Sequence, residues 1–340
     1  MNMKAKRTLY RVGYVVLACM LAALTSATMG QDRPGAGQKA GAQQKPEAGA
    51  KRPGQAALPA NVKLLRDVEY AKVGEKSLAL DLYLPDHPAG TKMALVIWVH
   101  GGAWRAGSKN PTPAVALLRD GFTVASISYR FSQAAKFPAQ INDCKGAVRF
   151  LRANAAKYGL DPNAFGAWGS SAGGHLVALM GTAGDANDLE GDVGGNVGVS
   201  SHVQAVCDFF GPTDFLAMKG LASTIQHMSA DSPESQLLGA PVAENPDRAR
   251  QASPTTYVSK DDPPFLIVHG DRDMTVPYQQ SELLHEALTK AGVASELYIV
   301  KGAGHGGFRD PAVPEKVRAF FLKTLKGAAP AATAPPAGGK

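Results

Sequence analysis

Gly169-Ser170-Ser171-Ala172-Gly173 sets one serine among small neighbours, after the apolar stretch Phe165 to Trp168 and before the helix-like run His175 to Met180. A G-x-S-x-G segment between a strand and a helix turns the chain sharply and leaves its central side chain exposed on a strained backbone. Ser171 is therefore the candidate nucleophile. A serine hydroxyl is weak alone. It needs a general base, a group that orients the base, and donors for the oxyanion formed when it attacks a carbonyl. The pentapeptide by itself is a weak signal, since short Gly/Ser patterns occur in many loops; its weight comes from partners elsewhere in the chain.

The donors are sought at His100-Gly101-Gly102-Ala103-Trp104, directly after the apolar run Met93 to Val99. Backbone N–H groups must reach the developing oxyanion at about 3 Å, an approach that a Cβ obstructs. The N–H groups of Gly102 and Ala103, joined by that of Ala172, are assigned to this oxyanion hole; a plain Gly-Gly turn is the alternative. The acid belongs after the nucleophile and before the base. Pro263 to Gly270 reads as a short apolar strand, and Asp271-Arg272-Asp273 follows its C-terminal end, where open α/β sheets present functional side chains. Two aspartates compete there, and aspartates in turns also bind loop backbone. A metal reading of the pair lacks further ligands.

His305 is the candidate base. It sits in Gly302-Ala-Gly-His-Gly-Gly-Phe308, after the strand-like Ser295 to Val300, and alone among the 8 histidines it has the right order, loop context and strand-end position. His100 is expected to brace the oxyanion loop through its side chain, His175 to pack or cap, and His269 to be structural at a strand end. His87, His202, His227 and His285 carry no usable signal.

Elements must bring these residues together. Leu64 to Ala71 and Leu78 to Leu84 read as an antiparallel pair around Gly74. Met93 to Val99, Phe122 to Tyr129, Val203 to Phe210, Pro263 to Gly270 and Ser295 to Val300 read as further strands. Ala139 to Tyr158, Pro277 to Ala291 and Pro314 to Leu325 read as helices. Strands alternating with helices predict an α/β class, with a mostly parallel central sheet covered by helices on both faces. Two insertions should shape the pocket. Gly184 to Ser200 reads as an exposed Gly/Asp loop, its acid spacing missing the EF-hand pattern. Residues 213–256 are expected to form a small cap over Ser171, with Trp104, Phe215 and Met228 as substrate-binding pocket walls or, alternatively, core.

The chain has 340 residues. Residues 1–30 carry Lys4, Lys6, Arg7 and Arg11 before an apolar core and small residues, the pattern of a secretory signal peptide. Val16 to Cys19 faintly resembles a lipoprotein site, but the apolar run continues past Cys19. Residues 31–60, rich in Gly, Ala, Gln, Pro and Lys, cannot bury enough surface to fold and read as a disordered linker. Residues 327–340 read as a flexible tail, which leaves 61–326 as one α/β domain. The formal charge of +7 belongs to the leader and linker; residues 61–325 carry −2. No nucleic-acid-binding domain is indicated, nor stable membrane insertion after processing. Cys144 and Cys207 are expected as buried free thiols.

Together these segments resemble the bacterial α/β-hydrolase esterases related to hormone-sensitive lipases and to bacterial feruloyl and acetylxylan esterases. The resemblance rests on HGGAWRAGSK (His100 to Lys109), SISYRFS (Ser126 to Ser132), FPAQINDCKGAVRFLR (Phe137 to Arg152), GSSAGGH (Gly169 to His175), FFGPTDF (Phe209 to Phe215), HGDRDMTVP (His269 to Pro277) and GAGHGGF (Gly302 to Phe308). It implies the α/β-hydrolase fold and Ser171, Asp273 and His305 as the catalytic triad, and so selects Asp273 over Asp271. HGGA in place of the HGGG of many lipase relatives points to the feruloyl/acetylxylan branch. The expectation is a secreted or periplasmic serine esterase with no metal or organic cofactor, acting on short or aromatic acyl esters, such as an acylated saccharide. A serine exopeptidase and a noncatalytic binding protein on the same scaffold are the alternatives.

Overall fold

A computed structural model describes residues 58–327. The expected signal peptide, nearly all of the linker and the tail lie outside the described residues. β1 (Val62–Val73) and β2 (Lys76–Pro85) form an antiparallel pair. Their turn passes through Gly74, whose φ of 56° favours a residue without Cβ. β3 (Met93–Val99) and β4 (Thr123–Ile127) follow, then α1 (Ala139–Ala153) and α2 (Ala155–Tyr158). β5 (Leu160–Ser170) runs into α3 (Ala172–Thr182). β6 (Ala205–Phe209) leads to a long excursion holding α4 (Pro233–Leu238) and α5 (Pro246–Gln251). The chain closes with β7 (Phe265–Gly270), α6 (Gln279–Lys290), β8 (Ser295–Val300) and α7 (Ala312–Lys326).

The strands form one 8-stranded sheet in the order β1-β2-β4-β3-β5-β6-β7-β8. β1–β2 and β2–β4 pair antiparallel, and every pair from β4 to β8 is parallel. All of β3 is buried, as a strand covered on both faces requires. Its Leu95, Ile97 and Val99 join one core with residues of α1, α3 and α6, while Val96 and Trp98 join the other with Phe122 and α7's Phe321. Because the central strands are parallel, the ends of β3, β5, β7 and β8 share one edge of the sheet, so segments far apart in sequence meet there.

Three features differ from the sequence reading. The helix expected over Ala139 to Tyr158 breaks at Asn154, whose side-chain amide donates to the Phe150 carbonyl at 2.8 Å. Such a local bond competes with continuation of the helix. Gly184 to Ser200 is not simply an exposed loop: its Glu190 pairs with the buried Lys145 at 3.1 Å and with buried Arg149, and accepts from Ser201. The excursion over 213–256 carries α4 and α5 plus short 3-10 turns, more regular structure than its turn-rich sequence suggests. Cys144 and Cys207 are both buried and free.

Candidate active site

Ser171 sits between the end of β5 and the start of α3 with φ 55° and ψ −122°, a conformation that costs a non-glycine residue energy. Close packing of small residues enforces it. A Cβ on Gly173 would stand 2.7 Å from the His100 carbonyl oxygen, and one on Gly101 would stand 2.8 Å from that of Ser170. The serine's own N–H donates to the Phe209 carbonyl at 2.8 Å, tying the turn to the end of β6.

The loop after β8 brings His305 to this serine. Ser171 Oγ lies 2.9 Å from His305 Nε2, and His305 Nδ1 lies 2.6 Å from Asp273 Oδ2. With Nδ1–H donating to the carboxylate, Nε2 is free to accept the hydroxyl proton. Asp273 is buried, 4% exposed, and its other oxygen accepts from the Thr275 and Val276 N–H groups at 2.7 and 3.0 Å. Burial pushes its pKa up, but hydrogen bonds from His269 and His305, the charge of His305 and the Thr275 N–H outweigh it and hold the carboxyl well below the usual range. Asp271 is engaged elsewhere: it accepts from the Gly302 N–H at 2.6 Å and lies 3.5 Å from Lys301.

His269 does more than end a strand. Its Nε2–H is shared between the Val276 carbonyl at 2.9 Å and Asp273 Oδ2 at 3.1 Å, while Nδ1 accepts from Ser281 at 2.7 Å. A buried imidazole thus fixes the acid and its loop. The only trace of this in the sequence is a histidine four residues before the aspartate.

Gly102, Ala103 and Trp104 have φ of 114°, 53° and 56°, so the loop after β3 is held in an unusual course. Among the described residues, no protein group accepts from the N–H of Gly102, Ala103 or Ala172. His100 Nδ1 donates to the Gly101 carbonyl at 2.7 Å and its ring stacks on Tyr129. Burial pushes its pKa down, against the opposing bond to the Gly101 carbonyl.

Two of the three expected pocket walls are core instead. Trp104 is 2% exposed and Phe215 0%. Both rings pack on His175, with centroids 5.1 and 5.2 Å away. Trp104 Nε1–H donates to His175 Nδ1 at 3.2 Å, and His175 Nε2–H donates to the Ala252 carbonyl at 2.7 Å. Burial lowers the His175 pKa to about 4, with the Ala252 bond opposing. The burial arises because His175, in α3, offers Trp104 a polar partner inside the core. Met228 is half-buried against the same core. The 213–256 excursion touches both sides of the site: Gln236 accepts from Arg105, beside the oxyanion loop, and Ser223 and Thr224 donate to the Met274 carbonyl, beside the acid.

Among the described residues, no group of three or more His, Cys, Asp and Glu side chains is placed to hold a metal ion. The geometry can transfer a proton from a serine hydroxyl to an imidazole while a carboxylate stabilises the resulting imidazolium.

The BD-FAE family model matches residues 80–288. The chain is 32% identical over 246 residues to esterase LipQ of Mycobacterium tuberculosis, an alignment covering 71% of this chain and 56% of the relative. The chain spans little more than half the length of the first curated relatives it matches. Among solved structures it is similar to a truncated carbohydrate esterase from gut microbiota, with 36% identity, TM-score 0.72, and coverage of 78% of this chain and 96% of that one. It is also similar to Thermogutta terrifontis esterase 2 phosphorylated by paraoxon, with 26% identity, TM-score 0.61, and coverage of 80% and 97%.

Proposed function

The chain belongs to the BD-FAE family, of α/β-hydrolase fold, and we propose that it is a serine carboxylic-ester hydrolase working through an acyl-enzyme on Ser171. The observation that carries this reading is the continuous line Ser171–His305–Asp273, with bonds of 2.9 and 2.6 Å, set beside unengaged backbone donors. His305 Nε2 takes the hydroxyl proton as Ser171 Oγ attacks the ester carbonyl. The N–H groups of Gly102, Ala103 and Ala172 receive the oxyanion. Asp273 keeps the imidazole in the correct tautomer and stabilises its protonated form. The protonated His305 then delivers its proton to the leaving alkoxide. Water, deprotonated by the same nitrogen, attacks the acyl-enzyme; the acyl–Oγ bond breaks and His305 returns the proton to Ser171 Oγ as the acid leaves.

The substrate proposed is a small ester, with acetyl or aromatic-acyl groups on a saccharide as the favoured class. A carbohydrate esterase among the structural neighbours and the HGGA segment support that choice. The leader-like residues 1–30 support export from the cytoplasm. Hydrolysis of nitrophenyl esters from acetate to decanoate, plus a feruloyl ester, compared between the native chain and Ser171→Ala, tests the proposal. Acetate or ferulate turnover lost in the variant is the expected result. Turnover peaking at long chains contradicts the saccharide-ester class, and no Ser171-dependent turnover contradicts the esterase reading itself.

A further inference from the structure

The corner that ends β6, Asp208-Phe209-Phe210-Gly211, touches the nucleophile and the base at once. The Phe209 carbonyl accepts from the Ser171 N–H at 2.8 Å. The Phe210 ring meets the His305 imidazole edge-on, with centroids 4.7 Å apart, and packs against Phe308 at 5.5 Å. Its φ is 46°, a left-handed conformation that a bulky aromatic adopts only where its surroundings impose it. The imposition is visible. The Phe210 N–H is held by the Val268 carbonyl at 2.9 Å, and the Gly211 N–H is held by Asp208 Oδ1 at 3.0 Å. Asp208 is fully buried, and its Oδ2 has no protein partner among the described residues. The corner lies tight against the first turn of α3: a Cβ on Gly211 would come within 2.5 Å of the His175 nitrogen, and one on Gly174 within 3.0 Å of Gly211 Cα.

We infer that Asp208 and Phe210 are positioning residues, with Asp208 latching the β6 corner and Phe210 holding the His305 ring at the distance from Ser171 that proton transfer needs. This rests on the serine-hydrolase reading. The physical reason is that His305 rides on the glycine-rich loop Gly302 to Phe308, which packs on the core through Ala303 and Phe308 on either side of it. A carboxylate at Nδ1 fixes one end of the ring, but it does not stop the plane from tilting. An aromatic edge does, and it works only if the corner carrying it cannot relax. The strained φ needs a latch, which the Asp208–Gly211 bond supplies from the neighbouring strand position.

The test uses the full chain with nitrophenyl acetate and four variants. Asp208→Asn keeps an acceptor for the Gly211 N–H and should stay close to the native kcat. Asp208→Ala removes the acceptor, and Phe210→Leu keeps an apolar side chain but loses the ring edge; each should lose about 10- to 100-fold in kcat, as small misplacements of reacting groups do, with KM unchanged. Phe210→Tyr keeps the ring and should restore kcat. A native kcat in Phe210→Leu, or a loss confined to KM, overturns the inference. A second readout needs no turnover: the low-field proton resonance of the His305–Asp273 hydrogen bond should shift or broaden in Phe210→Leu. An unchanged resonance overturns the inference even if Asp208→Ala fails to fold. Absent turnover by the native chain would instead count against the esterase reading, leaving the resonance to report on the corner.

Discussion

Asp273 and Asp271 are separated by one residue, yet the fold gives them different work. Asp273 is buried and receives the His305 bond, while Asp271 holds the Gly302 backbone. Asp273→Asn should therefore lower kcat by about four orders of magnitude with the fold intact, as in other serine triads. Asp271→Asn should leave kcat near native. Steady-state kinetics beside circular dichroism check both, and the reverse ranking would reassign the acid. Sequence order left this choice open; only the resemblance selected Asp273, because loop spacing does not reveal which carboxylate turns inward. His269 was less legible still. Its contact with Asp273 depends on a bend that brings Val276 and Ser281 around the ring, and no local pattern encodes that.

At the scale of elements, the oxyanion loop is pinned to the nucleophile helix by one bond between side chains 71 positions apart, Trp104 Nε1–H to His175 Nδ1. Trp104→Phe keeps most of the ring but strands a buried acceptor, so the melting temperature should fall by an amount equivalent to about 1–3 kcal/mol. A melting temperature equal to the native one would mean the bond adds nothing. Sequence left Trp104 and Phe215 open between pocket wall and core, because an aromatic beside a glycine pair looks the same whether its partner is substrate or a histidine in a distant helix. Gly101 offers a sharper probe. A methyl group there meets the Ser170 carbonyl at 2.8 Å, so Gly101→Ala should force the loop away from the nucleophile. The expected result is a loss of about 100-fold in kcat, the scale of one lost oxyanion donor. A drop in binding alone would argue that the loop contacts substrate without stabilising the oxyanion.

For the molecule as a whole, the sheet was the most legible part. The apolar run Met93 to Val99 and the strand-like Ser295 to Val300 coincide with β3 and β8. Their parallel arrangement follows from the helices between them, which is why the chemistry gathers at one edge. The pH dependence of stability is a property of the whole fold that sequence could not supply. Burial raises the Asp208 pKa to about 7 against the opposing Gly211 N–H bond. The neutral form is thus favoured in the fold, and its contribution is complete below the unfolded carboxyl pKa of about 4 and lost as pH rises toward 7. Asp273, held low, works the other way: its contribution is present above that unfolded pKa and lost as pH falls. Asp208→Asn should therefore gain melting temperature relative to the native chain as pH rises from about 4 to about 7; a constant difference across that range would mean Asp208 does not titrate there. Acylation of Ser171 during turnover can be read by mass spectrometry of the native chain quenched during hydrolysis of a slowly deacylating nitrophenyl ester. An acyl adduct is expected on the peptide carrying Ser171, absent in Ser171→Ala. Turnover with no adduct there, or with the adduct on another residue, would contradict that acylation.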